Sequence, residues 1–286
     1  MSAGAVSPSG RSWPVAGRRN APGGGRRGTP GGPLDGFVTG AALQWRVLGT
    51  RVMNLVTGVV NPLMFTVILV LPRRATLTGA DVTAQFTGIV LASLWAASMW
   101  SAMGILRRER QDGTLAATVT GVRDPLVVLL GKMSGAIVFD AALIAVSTLL
   151  GMSAFGAVPH VGDPAGFAVG LVAVMLAGIS AALLVGSALV VSRYGQQLTA
   201  ALGPPVLLLG GMLVPLSALP RWLSWPGLAL NLRWVQEFLR SAATGHADWA
   251  ALGIALALSG AYAAGGIALF RRMLTRARRE ATLELV

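Results

Sequence analysis

Arg107-Arg108-Glu109-Arg110-Gln111-Asp112-Gly113-Thr114-Leu115 is a dense charged cluster set between two long apolar runs, and that setting decides the fold. Each flanking run approaches the ~20 residues that carry a helix across ~30 Å of hydrocarbon. Charges at such a junction belong in water, so the cluster marks a membrane face and the runs mark spans. Its residues suit docking against a protein better than they suit chemistry. Charged residues leave the membrane, Gly113 breaks the helix, Thr114 caps a new one, and Leu115 to Val119 form one apolar turn that Gly121 stops. The short surface helix so defined fits a partner's groove. The plainer alternative is a solvated loop.

The 286 residues are 54% hydrophobic and 12% charged, with a mean hydropathy of +0.67. A soluble chain of this length carries about twice that charge. Spans are expected near 52–71, 85–106, 126–150, 166–191, 198–215 and 250–270. The alternating segments of about ten residues that build a membrane barrel are not seen. The fold class is therefore all-α, a polytopic membrane protein with six transmembrane helices embedded in a lipid bilayer.

Residues 1–34 are Gly, Pro, Ser and Arg with almost no apolar clusters and are expected to be a disordered tail. From Asp35 to about Arg51 the pattern is mildly amphipathic, which reads as a helix lying in the interface. The membrane-embedded body runs over 35–275, and 276–286 form a C-terminal tail. With both termini in the cytoplasm, the Lys and Arg residues divide 18 inside to 5 outside. That asymmetry is the one the positive-inside rule requires for a multi-pass protein of the plasma membrane. The same distribution accounts for the net charge of +12. No folded soluble domain offers a basic face, so nucleic acid is not an expected partner.

Local signals agree with these limits. Asp124-Pro125 offers a cap and a first-turn proline for the third span, and Asp248 a cap for the sixth. Trp222, Trp225, Trp234 and Trp249 gather where the outer interface should lie. Gly166, Gly170, Gly178, Ala182 and Gly186 form a small-residue stripe that serves either packing within the chain or a dimer seam. Asn61-Pro62 and Pro204-Pro205 interrupt the first and fifth spans as hinges or static kinks. Residues 216–247 are too broken by proline and arginine for open lipid, yet Val235, Phe238, Leu239 and Ala242 share one helical face. Two short helices dipping into the outer leaflet satisfy both facts.

Asp140 falls inside the third span, where a charge costs ~3 kcal/mol. It is a possible intramembrane polar site, in the substrate path or as a structural hydrogen-bonding residue. His160 and His246 have no companion ligands, so no metal site is expected. Gly131-Lys132-Met133 lacks the spacing and hydroxyl of a phosphate-binding loop, and no catalytic constellation is present. The chain is not expected to be an enzyme.

Glu109-Arg110-Gln111-Asp112-Gly113-Thr114-Leu115 resembles the Glu-x-x-x-Gly-Thr-Leu stretch of the membrane subunits of type II ATP-binding-cassette exporters, the multidrug, antibiotic and polysaccharide class. Gly211-Met212-Leu213-Val214-Pro215 and Leu219-Pro220-Arg221-Trp222-Leu223 are similar to that family's Gly-x-x-x-Pro and Leu-Pro-x-Trp segments. Asn231, Glu237 and Arg240 match its following Asn, Glu and Arg positions. The chain departs at Ala116, Ala117, Gly121-Val122 and Leu232. The resemblance covers about residues 35–275. It implies an N-terminal interfacial elbow helix, six spans, and short outer re-entrant helices between spans five and six.

The resemblance also implies an ATPase-coupling loop containing Arg108, Glu109, Asp112, Gly113, Thr114, Leu115 and Val119. It places an outer gate around Gly211, Pro215, Pro220, Trp222, Glu237 and Arg240. The implied partners are an ATP-binding-cassette ATPase subunit, which would hold ATP and Mg, and a second permease copy or homologous permease. This chain would hold no cofactor and would export a hydrophobic or amphiphilic compound such as a drug, antibiotic or lipid. The alternatives are an ion-coupled carrier, for which Asp140 is nearly alone, an intramembrane lipid enzyme, and a membrane immunity protein.

Overall fold

Thr78 opens the longest helix through a reciprocal cap. Its N–H and its hydroxyl donate to Asp81 Oδ2 at 3.2 and 2.6 Å, and Thr78 Oγ1 accepts from Asp81 N–H at 3.4 Å. This occupies donors that the first turn leaves without partners. The structure is a computed structural model that describes residues 37–42, 52–73, 75–76, 78–111, 125–189, 194–212 and 220–279.

All regular structure in the described residues is helical. Residues 37–42 form α1. The chain continues as α2 (Val52–Leu69), α3 (Gly79–Gln111), α4 (Pro125–Ala154), α5 (Pro164–Leu189), α6 (Gly195–Leu209), α7 (Arg221–Gly227), α8 (Asn231–Ala243) and α9 (Trp249–Arg279), with a 3-10 turn at Leu71–Arg73. Four segments are long and apolar enough to cross a bilayer: Asp81–Ser101, Leu126–Ala154, Pro164–Leu189 and Trp249–Thr275. Thr57–Arg73 and Gln197–Leu209 are shorter apolar helices at the expected first and fifth spans. The chain is thus an all-helical polytopic membrane protein.

The helix ends sharpen the expected limits. Pro125 is the first residue of α4, a position where its missing N–H costs nothing. Asp163 Oδ1 caps α5 through Gly166 N–H at 3.0 Å. Asp248 Oδ1 caps α9 through Ala250 and Ala251 N–H at 3.0 and 3.2 Å. The fifth helix differs most from its expected range of 198–215. It starts at Gly195 and stops at Leu209, so its 15 residues reach about 22 Å. Pro204 and Pro205 sit inside it and take the i→i−4 donors away from the carbonyls of Ala200 and Ala201. Pro62 lies inside α2, where its carbonyl accepts from Thr66 Oγ1 at 2.7 Å.

Helix packing divides the bundle into two groups. α2, α3 and α4 pack mainly on one another, as do α5, α8 and α9, and α3 also borders α5, α6 and α8. The second group packs closely because its crossing points are small. A Cβ on Gly266 of α9 would stand 2.9 Å from the Leu184 N atom of α5. Gly166, Gly170, Gly178, Ala182 and Gly186 of α5 are all buried within the chain. Gly170 faces Leu239 and Phe238 of α8, and Gly178 faces Ser98 of α3. The stripe is therefore occupied by packing within one chain.

α1 lies flush on α4 for the same reason. A Cβ on Gly40 would come within 2.8 Å of the Val128 carbonyl, and one on Gly135 within 2.8 Å of the Ala41 carbonyl. The rest of the expected elbow helix, residues 43–51, and the tails 1–34 and 280–286 lie outside the described residues.

Candidate functional site

A polar side chain in an apolar bundle is costly to bury unless it is bonded, so such residues mark where helices are fixed to one another. Asp140 is buried in the body of α4, and its Oδ2 accepts from Ser101 Oγ of α3 at 3.0 Å. One turn pair further on, Ser147 Oγ donates to the Gly58 carbonyl of α2 at 2.9 Å. The first group is thus tied pairwise, α3 to α4 and α4 to α2.

In the second group, one side chain at the start of α8 reaches two other helices. Asn231, 1% exposed, begins α8, and the two hydrogens on its Nδ2 are shared among the Ala177 carbonyl at 3.2 Å, Ser180 Oγ at 3.2 Å and Ser259 Oγ at 3.1 Å. Those acceptors belong to α5 and α9, so one amide joins three helices. Asn231 stands in a family-like motif, but nothing in its spacing identified Ser180 and Ser259 as its partners. The available signal was two serines within otherwise apolar spans.

The far end of α8 is held by the backbone. Gly162 N–H donates to the Ala243 carbonyl and Asp163 N–H to the Ala242 carbonyl, both at 3.0 Å. Asp248 N–H donates to Ser241 Oγ at 2.9 Å. The neighbouring loop is fixed to α3, since Thr83 Oγ1 donates to the His160 carbonyl at 2.7 Å and accepts from its N–H at 2.9 Å. Along α8, Val235, Phe238, Leu239 and Ala242 are buried, while Glu237 and Arg240 are exposed. This is the amphipathic division the sequence indicated.

The residues assigned to an outer gate are spread over this region rather than gathered at one point. Gly211 makes the turn after α6 with φ +68°, a conformation open mainly to glycine. The adjoining Met212 carbonyl presses on Gly88 of α3, where no side chain intervenes. Pro220 immediately precedes α7, and Trp222 and Trp225 are 74% and 73% exposed. Trp249 is also exposed. Trp234 Nε1 donates to the Leu228 carbonyl at 3.0 Å, and Arg233 lies 5.6 Å from its ring centre. Pro215 lies outside the described residues.

The charged stretch begins on a helix. α3 runs unbroken through Gln111, so Arg108 and Glu109 occupy its last turn. Asp112, Gly113, Thr114, Leu115 and Val119 lie outside the described residues. Among the described residues no three His, Asp or Glu side chains gather to hold a metal.

Helices long and apolar enough to cross a bilayer, a pair of short helices and a long helix ending in a charged stretch describe a polytopic membrane protein. The sequence matches the family described as ABC-2 type transporter over residues 39–243. No curated protein matches it. With most of its length inside that family match, the chain belongs to the ABC-2 type transporter family, the membrane components of ATP-binding-cassette transporters.

Proposed function

We propose that the chain is the permease subunit of an ATP-driven exporter and that the end of α3 receives the motion of a separate ATPase. The observation that carries this reading is the reach of α3. Its 33 residues extend about 50 Å, well beyond the ~30 Å hydrocarbon layer. It ends in Arg107-Arg108-Glu109-Arg110-Gln111 and borders α2, α4, α5, α6 and α8. A displacement applied to its charged end is therefore passed to both helix groups.

In this reading both termini are cytoplasmic, the six expected spans cross the plasma membrane, and two copies or one copy with a homologous permease form the pathway. ATP and Mg belong to the ATPase. Closure of the ATPases moves Glu109 to Val119 and shifts the balance between inward-open and outward-open states through their different affinities for nucleotide. The scarcity of buried charge favours a hydrophobic or amphiphilic cargo such as a drug, antibiotic or lipid.

Affinity purification of the tagged full chain from its own host membranes tests this. An ATP-binding-cassette ATPase should co-purify with the wild type. Glu109→Lys and Leu115→Asp should insert normally yet retain at least tenfold less of it. Wild-type amounts of bound ATPase in both variants would overturn the assignment of the coupling stretch.

A further inference from the structure

We infer that Asn231 is the positioning residue of the outer helices. It makes α5, α8 and α9 one moving body, so that the outer side opens along the seam between that body and α3. This inference rests on the permease reading and adds to it how the gate moves. A pair of short outer helices invites the picture of a lid that swings on its own. The bonding contradicts that picture, because α8 is held at both ends. Asn231 fixes its start to α5 and α9, and the Gly162 and Asp163 N–H groups fix its end to the residues opening α5. Between these points Leu239 and Phe238 close over Gly170.

The seam with α3 is built differently. It too is closely packed; apart from the Thr83 pair with the His160 backbone, which opening must break, its polar groups are left over. Gln236 of α8 approaches Gly88 with its amide nitrogen, 3.6 Å from where a Cβ would stand. Its Oε1 is buried and has no hydrogen-bond partner among the described residues. Deeper in the bundle a Cβ on Gly178 of α5 would stand 3.2 Å from Ser98 Oγ of α3, and that hydroxyl is likewise buried without a partner. Buried polar groups almost always find partners. A contact bonded at both ends of α8 and a seam bonded at one end, with unpartnered polar groups along the rest, are the expected marks of a fixed contact and a parting one. Opening the seam lets Ser98 and Gln236 bond to water or to the polar part of a cargo, so the parting costs less than it would in an apolar contact.

The chain has no cysteine, so engineered pairs report without background. Gly170→Cys with Leu239→Cys spans α5 and α8 inside the body, and Ser98→Cys with Gly178→Cys spans the seam. In membranes containing the full transporter, ATP with vanadate should lower disulfide yield across the seam at least threefold and leave the 170–239 yield unchanged. The reverse pattern, or equal loss in both pairs, overturns the single-body opening.

Asn231→Leu, placed in the 170–239 background, should lower that yield at least threefold without nucleotide, while the protein remains monodisperse. An unchanged yield removes the role of Asn231 whether or not an ATPase is bound. Insensitivity of both pairs to nucleotide, in samples where no ATPase co-purifies, overturns the permease reading. The Asn231 comparison still decides its own question in that case.

Discussion

The two helix groups solve the same problem, holding apolar helices together in lipid, by different means. α2, α3 and α4 are joined by separate two-helix bonds, Ser101 to Asp140 and Ser147 to the Gly58 carbonyl. α5, α8 and α9 are joined by the Asn231 amide, by backbone bonds at the end of α8 and by the Gly266 crossing, where a side chain would meet the backbone of α5, whereas the glycines between α2 and α4 meet only side chains. Lipid offers no hydrophobic reward for helix association, so contact distance and hydrogen bonds decide it. A group held by close backbone crossings resists sliding, whereas pairwise bonds can be exchanged one at a time. The single-body opening inferred above relies on this difference, with α5, α8 and α9 shifting together relative to α3.

The comparison is most easily broken at Gly266. Leu in its place meets Leu183 Cγ at 2.8 Å and the Leu184 N atom at 2.9 Å. This overpacking is expected to cost about 3 kcal/mol, read as a lower melting temperature in detergent or an earlier midpoint in an SDS titration. Gly253→Leu and Gly260→Leu on the same helix have open space around them and should change neither reading. Equal losses at all three positions would show that glycine supports α9 itself rather than its crossing.

The helix caps offer a smaller and more even test. Asp248→Ala removes the cap of α9, and Asp81→Ala removes the carboxylate half of the reciprocal cap of α3. Each should lower stability by about 1 kcal/mol. If α3 is the looser element, amide exchange should rise further along α3 after Asp81→Ala than along α9 after Asp248→Ala.

The smallest expected effect lies at Asp140. Asparagine keeps an acceptor for Ser101 Oγ, and leucine does not. The two variants should therefore differ by about 0.6 kcal/mol, the usual contribution of one interhelical hydrogen bond in a membrane. A difference of several kcal/mol would mean that the first group also rests on one central residue, and the contrast with Asn231 would vanish.

Much of this architecture was legible before any coordinates. The apolar runs placed the helices, Pro125 and Asp248 marked two of their starts, and the shared face of Val235, Phe238, Leu239 and Ala242 anticipated α8. The fifth helix was less legible, because hydropathy continues past Leu209 while the chain turns at Gly210 and Gly211. Periodicity also could not say whether the α5 glycine stripe served this chain or a second copy. A stripe of small residues looks the same whichever helix lies on it.

What the sequence determined by itself is the class and the placement of charge: apolar segments near the thickness of a bilayer, separated by arginines, leave a chain no alternative to helices in lipid. It also set the charged stretch at Arg107 apart from the apolar runs on either side. Only the tertiary structure decided which helices belong together, and that Asn231, Ser180 and Ser259 meet although 28 to 54 positions separate Asn231 from its acceptors. The reason is physical. Hydropathy is a property of each residue and is read one position at a time, whereas a buried hydrogen bond exists only once two distant backbones have come within about 3 Å of a shared geometry.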